Sequence, residues 1–214
     1  MGEEMVKAIL FDFWGTLMEQ GVRSPIQHVK NALQIDLPFS EYVVRMERAM
    51  MTEQFSTLRE AFLSVFAEFN LDPREDLLEE LIGMWNKSWM LAKPYPETEA
   101  VLKELQKKYR LILISNTDSF SVEKVLGKLS WDKYFHKFYF SYQMHLLKTD
   151  QNFFQTIMDD LSLAPEDCLV VGDSIQSDVL AAAKSGVKAI LLDRRNTREF
   201  SPKITTLTEL ETQL

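Results

Sequence analysis

Apolar residues along this chain follow two rhythms. Short continuous runs such as "AILF", "LILI" and "AILL" are four residues long and give way to polar turn formers. Runs of that kind suit strands buried on both faces of a parallel sheet. They predict strands at Val6–Phe11, Arg110–Ile114, Cys168–Val171 and Lys188–Leu192, with a weaker one at Lys137–Phe140. Between them, apolar positions recur at helical spacing. Ala100, Val101, Leu102 and Leu105 do so within 97–107, and Phe153, Phe154, Ile157, Met158 and Leu161 within 151–161. A third helix over 177–184 meets Gly186, which is placed to close it in the left-handed conformation. Strand and helix alternating in this way predict an α/β fold, a Rossmann-like doubly wound parallel sheet.

Residues 24–92 break that rhythm. They contain no convincing strand and predict four helices. Ser24-Pro25 offers an N-cap with proline at the first helical position, Ser40 offers a second cap, and Thr57-Leu58-Arg59-Glu60 is a capping-box sequence. Phe62, Val65, Phe66 and Phe69, then Leu77, Leu78, Leu81, Met84 and Trp85, form stripes that read as the core of a helical bundle. Pro94-Tyr95-Pro96 marks the return to strand-helix alternation. The expected organisation is an α/β core of residues 1–18 and 93–214, with an all-helical cap domain of residues 19–92 inserted after the first strand.

Composition narrows the function classes. A hydrophobic fraction of 46% and a charged fraction of 26% are those of a soluble globular protein. Thirty-two acids against 24 bases leave a net charge of −8, which opposes a nucleic-acid groove or an anionic membrane surface. A small phosphorylated molecule is still admissible, because a few local cations and a metal can overcome the global field. The single cysteine, Cys168, rules out an internal disulfide and reads as a buried strand residue. The opening "MGEEMVK" is acidic rather than signal-like, and the apolar runs are far too short to span a bilayer, so a cytoplasmic location is expected. No pattern specifies an oligomer.

In an open parallel sheet, ligands bind beyond the carboxyl ends of the strands. After the first predicted strand come Asp12, Gly15 and Thr16; after the second, Ser115 and Asn116; after the fourth, Gly172, Asp173 and Ser174, with Asp178 five residues past Asp173. Lys148 lies in "HLLKTD", just before the helix of 151–161. Singly, each has an ordinary structural role: a turn former or cap for the aspartates, a cap near Ser121 for Ser115-Asn116, a surface cation for Lys148. Together they place two carboxylates, a hydroxyl-amide pair and a lysine at one crevice.

This set resembles the haloacid dehalogenase-like hydrolase superfamily over nearly the whole chain. The motif of an aspartate followed by x-x-Gly-Thr is matched by Asp12, Gly15 and Thr16. Ser115 matches the hydroxyl at the end of the next strand, and Lys148 the lysine before a helix, with Thr149 where the family usually has proline. Gly172, Asp173 and Asp178 match the acidic motif, and "ITTLTEL" resembles the family's tail. The resemblance implies Asp12 as a nucleophile that forms a covalent aspartyl intermediate. It also implies Mg²⁺ on Asp12, Asp173 and the main-chain carbonyl of Trp14, with Asp178 supporting the metal shell. Thr16, Ser115, Asn116 and the Gly15 turn would hold the transferring group, while Lys148 would neutralise charge.

One position departs from the pattern. Family phosphatases carry a second aspartate where this chain has Trp14, and that acid protonates the leaving oxygen and then activates water. Such help is worth roughly 10²–10⁴ in rate, and an indole does not supply it. Three readings follow. The first is a Mg²⁺-dependent phosphohydrolase with another proton source, or with a phosphate ester or anhydride whose leaving group needs none. The second is a metal-free 2-haloacid dehalogenase, in which an aromatic residue also stands at this position and a cap arginine, Arg45 or Arg48, would receive halide. Asp173 opposes it, since an uncompensated acid beside Asp12 would repel it. The third is a family fold kept for binding, with weak catalysis or none. His28, His136 and His145 lack metal-ligand spacing, though His145 is the nearest to a substitute acid. Trp85, Trp89 and Trp131 read as packing, and Arg194-Arg195 as a solvated loop.

Overall fold

The computed structural model describes residues 6–214; the first five residues of the acidic opening, and with them the start of the predicted core domain, lie outside that range. The chain begins with β1 (Ala8–Phe11) and β2 (Met18–Glu19), then four helices: α1 (Pro25–Ala32), α2 (Phe39–Met51), α3 (Leu58–Glu68) and α4 (Glu75–Met90). After β3 (Lys93–Pro94) it alternates through α5 (Thr98–Leu105), β4 (Arg110–Ser115), α6 (Val122–Leu129), β5 (Lys137–Phe140), α7 (Ser141–Met144) and α8 (Phe153–Leu161). It ends with β6 (Cys168–Gly172), a wide helical turn at Ile175–Leu180 leading into α9 (Ala181–Lys184), β7 (Lys188–Leu192) and β8 (Lys203–Ile204).

Six strands form one parallel sheet in the order β5-β4-β1-β6-β7-β8. The apolar runs are continuous because both faces are covered. Ile9, Phe11, Leu111, Leu113, Leu169 and Val171 pack on one side with α5 and α6. Ala8, Leu10, Ile112, Ile114, Cys168 and Val170 pack on the other with α8 and α9. Successive residues thus alternate between two cores, as the pleat requires. The fold class expected from the sequence is the one observed.

The four helices of 25–90 have an apolar cluster of their own, built from Val29, Tyr42, Met46, Phe62, Val65, Phe66, Leu81 and Trp85 among others. The chain leaves and re-enters the α/β part through an antiparallel ribbon of β2 and β3. Two predicted caps are not formed. Ser24 sits in the left-handed region with φ 50° and makes no side-chain cap bond, although Pro25 does open α1. Ser40 lies inside α2, which starts one residue earlier, after Pro38. The Thr57 cap forms: its hydroxyl accepts from the Glu60 N–H at 3.2 Å, while the Glu60 carboxylate reaches back to the Ser56 N–H at 2.9 Å. Gly186 closes α9 with φ 74°.

Phe62 is fully buried in the helical cluster and meets Trp85 edge-on at 5.8 Å. Phe62→Ala should destabilise the fold by about 3–5 kcal/mol through lost transfer energy and a residual cavity. Urea unfolding followed by circular dichroism checks this; a loss near zero would mean that the cluster does not hold the helices.

Candidate active site

The sheet order explains where the site lies. From β1 the chain builds outward through β4 and β5, then crosses back to β6 on the other flank of β1. Loops therefore leave the β1 and β6 tips in opposite directions, opening a crevice at their carboxyl ends. Register matches Phe11 with both Leu113 and Val171, so Asp12 stands level with the residues that lead into Asn116 and Asp173.

Lys148 is the hub of this crevice. Its side chain is 3% exposed, and its ammonium donates to Asp12 Oδ1 at 2.7 Å and to Asp178 Oδ1 at 2.5 Å. The other oxygen of Asp12 accepts from the Thr16 hydroxyl at 2.9 Å, and the other oxygen of Asp178 from the Ser174 N–H at 2.9 Å. Burial opposes the charge on Lys148, but the two carboxylates outweigh it and hold its pKa above the ordinary lysine range. Burial pushes Asp12 up to about 6, with Lys148 pulling the other way. Asp173, whose carboxylate makes no ion pair among the described residues, is pushed up to about 8 by burial and then by Asp12 and Asp178, with Lys148 and Arg198 pulling the other way.

Two glycines are required by these acids. A Cβ on Gly172 would stand 2.2 Å from the Asp178 carboxyl carbon. One on Gly15, which has φ +83°, would stand 2.3 Å from Asp173 Oδ2. The turns after β1 and β6 can approach the carboxylates only without side chains.

The helical unit supplies the opposite wall. A cavity of about 630 Å³ is bounded by Asp12, Lys148 and Asp173 on the sheet side and by Val43, Glu47 and Met51 of α2 on the other. Adjacent residues of α2 reach across. Glu47 Oε2 accepts from Asn116 Nδ2 at 2.8 Å, and Arg48 forms an ion pair with Asp150 at 2.5 Å. Both partners brace the loop of Lys148: Asn116 Oδ1 accepts from the Lys148 N–H at 2.9 Å, and Asp150 Oδ2 from the Leu147 N–H at 2.8 Å. Trp85 makes a third bridge, donating to Asp118 Oδ2 at 2.9 Å. Trp14 lines the same cavity, with its indole N–H 3.4 Å from the Thr117 hydroxyl and its ring edge-on to Phe13.

The structure thus brings Asp12, Thr16, Lys148, Asp173, Asp178, Asn116 and Trp14 together. Ser115 ends β4 fully buried, with its hydroxyl 3.4 Å from the Asn116 carbonyl, and does not line the cavity. Gly15 faces a neighbouring groove of about 990 Å³ instead. Ser115 and Asn116 do not cap α6; there Asp118 accepts from the Phe120 N–H at 2.7 Å. Arg45 is held inside the helical unit by Glu68 and Phe69, and Arg48 by Asp150, so neither arginine expected to receive halide reaches the cavity. His145 is exposed and turned to the Thr52 carbonyl, away from the role of substitute acid.

Arg194 corrects the solvated-loop reading. It pairs with Glu97 at 2.7 Å, stacks on Tyr95 at 3.4 Å, and donates to the Thr16 carbonyl at 2.7 Å, clamping the loop that carries Asp12. Glu47 was not singled out in the sequence at all. Among the helix acids of "SEYVVRMERAM" nothing marks it, and only its i, i+4 spacing with Val43 and Met51 places it on the inward stripe.

The family model for haloacid dehalogenase-like hydrolases matches residues 6–186. The chain belongs to this family. Among similar proteins, a glyceraldehyde 3-phosphate phosphatase of Methanothermobacter thermautotrophicus is 27% identical over 196 residues, covering 88% of this chain and 86% of that one. Two solved structures share the fold. The HAD-hydrolase YfnB from Bacillus subtilis, bound to magnesium, has a TM-score of 0.69 at 16% identity, covering 98% of this chain and 99% of its own. A 2-haloacid dehalogenase from Pseudomonas syringae has a TM-score of 0.66 at 17% identity, covering 97% of both chains. Fold alone therefore does not separate the two chemistries.

As a haloacid dehalogenase-like hydrolase, the chain has a donor set suited to a hard divalent cation. Asp12, Asp173 and Asp178 each offer an oxygen, all within 4.8 Å of one another, and three carboxylates face one ammonium. In chelator, the raised carboxyl of Asp173 stabilises the fold when protonated; that contribution is present below its ordinary value of 3.8 and fades as pH rises through about 8. The hydrolase in chelator should therefore lose thermal stability between about pH 4 and about pH 8, and Mg²⁺ should restore it at the upper end. Asp173→Asn should flatten the profile. An unchanged profile in that variant would contradict the assignment of the charge excess to Asp173.

Proposed function

We propose that this hydrolase is a Mg²⁺-dependent phosphohydrolase that acts on a small phosphorylated metabolite through an aspartyl phosphate on Asp12. The observation that carries the reading is the surplus of acid at the crevice: beside the paired Asp12 and Asp178, the Asp173 carboxylate makes no ion pair among the described residues, and the nearby Arg198 guanidinium binds its main-chain carbonyl instead. A metal-free dehalogenase would have to tolerate that uncompensated carboxylate, and Arg45 and Arg48 are both engaged elsewhere. The phosphatase name of the 27%-identical relative points the same way.

Asp12, paired with the Lys148 ammonium at 2.7 Å, attacks as a carboxylate and needs no base. Thr16 holds one of its oxygens and leaves the carboxylate aimed into the cavity. Lys148 stays cationic throughout and lies against the nucleophile as charge moves onto it. Asp12, Asp173 and the Trp14 main-chain carbonyl would hold Mg²⁺, with Asp178 behind them, and the ion's contribution is positive charge against nucleophile and phosphoryl oxygens. Asn116 and Thr117 offer polar groups to the transferring phosphoryl group from the adjacent strand tip. Residues 19–92 act as a cap over a core of 1–18 and 93–214, and their closure excludes water. A volume near 630 Å³ suits a metabolite-sized ligand.

Phosphate release from 4-nitrophenyl phosphate and halide release from 2-chloropropionate, each with and without Mg²⁺, test this reading. Phosphate release that needs Mg²⁺ and disappears in Asp12→Asn is expected, and halide release without metal would overturn it.

A further inference from the structure

Trp14 leaves the proposed reaction without an acid on the sheet side of the cavity, and the structure offers one from the helical side. Glu47 is half-buried, and its only hydrogen-bond partner among the described residues is Asn116. The orientation of that amide is fixed, because its oxygen must accept from the Lys148 N–H. Its nitrogen therefore faces Glu47 and binds Oε2, leaving Oε1 without a partner on the cavity wall. Burial pushes the Glu47 carboxyl up to about 7; Asn116 and Lys148 pull it down, and Asp12 and Asp178 push it up. A carboxyl near neutrality can both give and receive a proton.

We propose that Glu47 is the proton carrier of the hydrolase, acting across the cavity in place of the acid that Trp14 displaces. The proposal rests on the phosphohydrolase reading. In the first step an Asp12 oxygen bonds to phosphorus, the bond from phosphorus to the leaving oxygen breaks, and that oxygen takes the proton of Glu47, departing as an alcohol. In the second, water bonds to phosphorus, its proton passes to the Glu47 carboxylate, and the Asp12 oxygen–phosphorus bond breaks. Inorganic phosphate leaves, and Asp12 and Glu47 return to their starting states. Because Glu47 belongs to α2 and is fastened to Asn116 only across the cavity, the proton source is in place only when helical unit and sheet are together. Catalysis is thereby tied to closure.

Glu47→Gln tests this, because glutamine keeps an acceptor for Asn116 but carries no proton to transfer. With Mg²⁺ and an alkyl phosphate such as glycerol phosphate, kcat should fall roughly 10²–10⁴-fold. With 4-nitrophenyl phosphate, whose leaving group needs little help, one equivalent of nitrophenolate should appear as a burst, followed by slow turnover. Intact-mass analysis should then show phosphorylated enzyme, absent in Glu47→Gln combined with Asp12→Asn. Glu47→Ala should regain turnover when formate is added, which a purely structural defect would not. Wild-type turnover that persists within twofold in a folded Glu47→Gln overturns this proposal alone. No phosphate release by the wild type from either ester, with Mg²⁺ present, overturns the phosphohydrolase reading and this proposal with it.

Discussion

The contact on which the site depends is an ammonium group wedged between two buried carboxylates. Lys148 touches Asp12 and Asp178 with 3% of its side chain exposed, and neither acid reaches bulk solvent appreciably. Burying such charges singly is prohibitive, and removing one member of a buried pair typically costs about 3–5 kcal/mol. The triad therefore fixes the relative positions of three loops, those after β1 and β6 and the one before α8. Everything else in the crevice is arranged around it: Thr16 and Ser174 fill the remaining lone pairs, and Gly15 and Gly172 are small because the acids lie against them.

The arithmetic of charge then gives the crevice its chemical character. One ammonium satisfies two carboxylates, and Asp173 is the surplus. A surplus acid among acids is held near neutrality unless a cation joins it. The same low-dielectric enclosure that makes the surplus expensive would strengthen the attraction of any cation bound there. A 2-haloacid dehalogenase that shares this fold shows that the fold does not itself fix the reaction. The side chains at the strand tips, not the architecture, distinguish them here.

The helical unit is joined to the sheet by both polar and apolar contacts. At the edges of the gap Trp89 packs on the sheet-side cluster and Phe120 on the helical one, while the polar contacts of Glu47 to Asn116, Arg48 to Asp150 and Trp85 to Asp118 cross it. Such contacts are individually modest and can be made and broken without unfolding either part. Two of them end on residues that brace the Lys148 loop. The helices and the charged triad are thus mechanically connected through the Asn116 amide and the Asp150 carboxylate, with His145 on the Thr52 carbonyl adding a third link to the same loop.

Much of this was legible in the residues. Continuous apolar runs mark strands covered on both faces, and helical stripes in 24–92 mark a bundle, because periodicity is a local consequence of which faces are buried. That Asp12, Asp173 and Asn116 meet at one crevice was legible because the loops at the carboxyl ends of a parallel sheet lie together, and that end can be read from strand order in sequence. What the sequence did not carry is orientation across space. Ser24 and Ser40 have cap-forming side chains but meet different backbone geometry, and Arg194 looks solvated until Tyr95 and Glu97 are folded against it. Glu47 resembles any surface helix acid; only the packing of α2 over the strand tips, set by contacts far apart in the chain, turns it inward toward Asn116. Local pattern fixed the elements and the acids at their ends, and tertiary contact alone decided which helix side chain meets the strand tips.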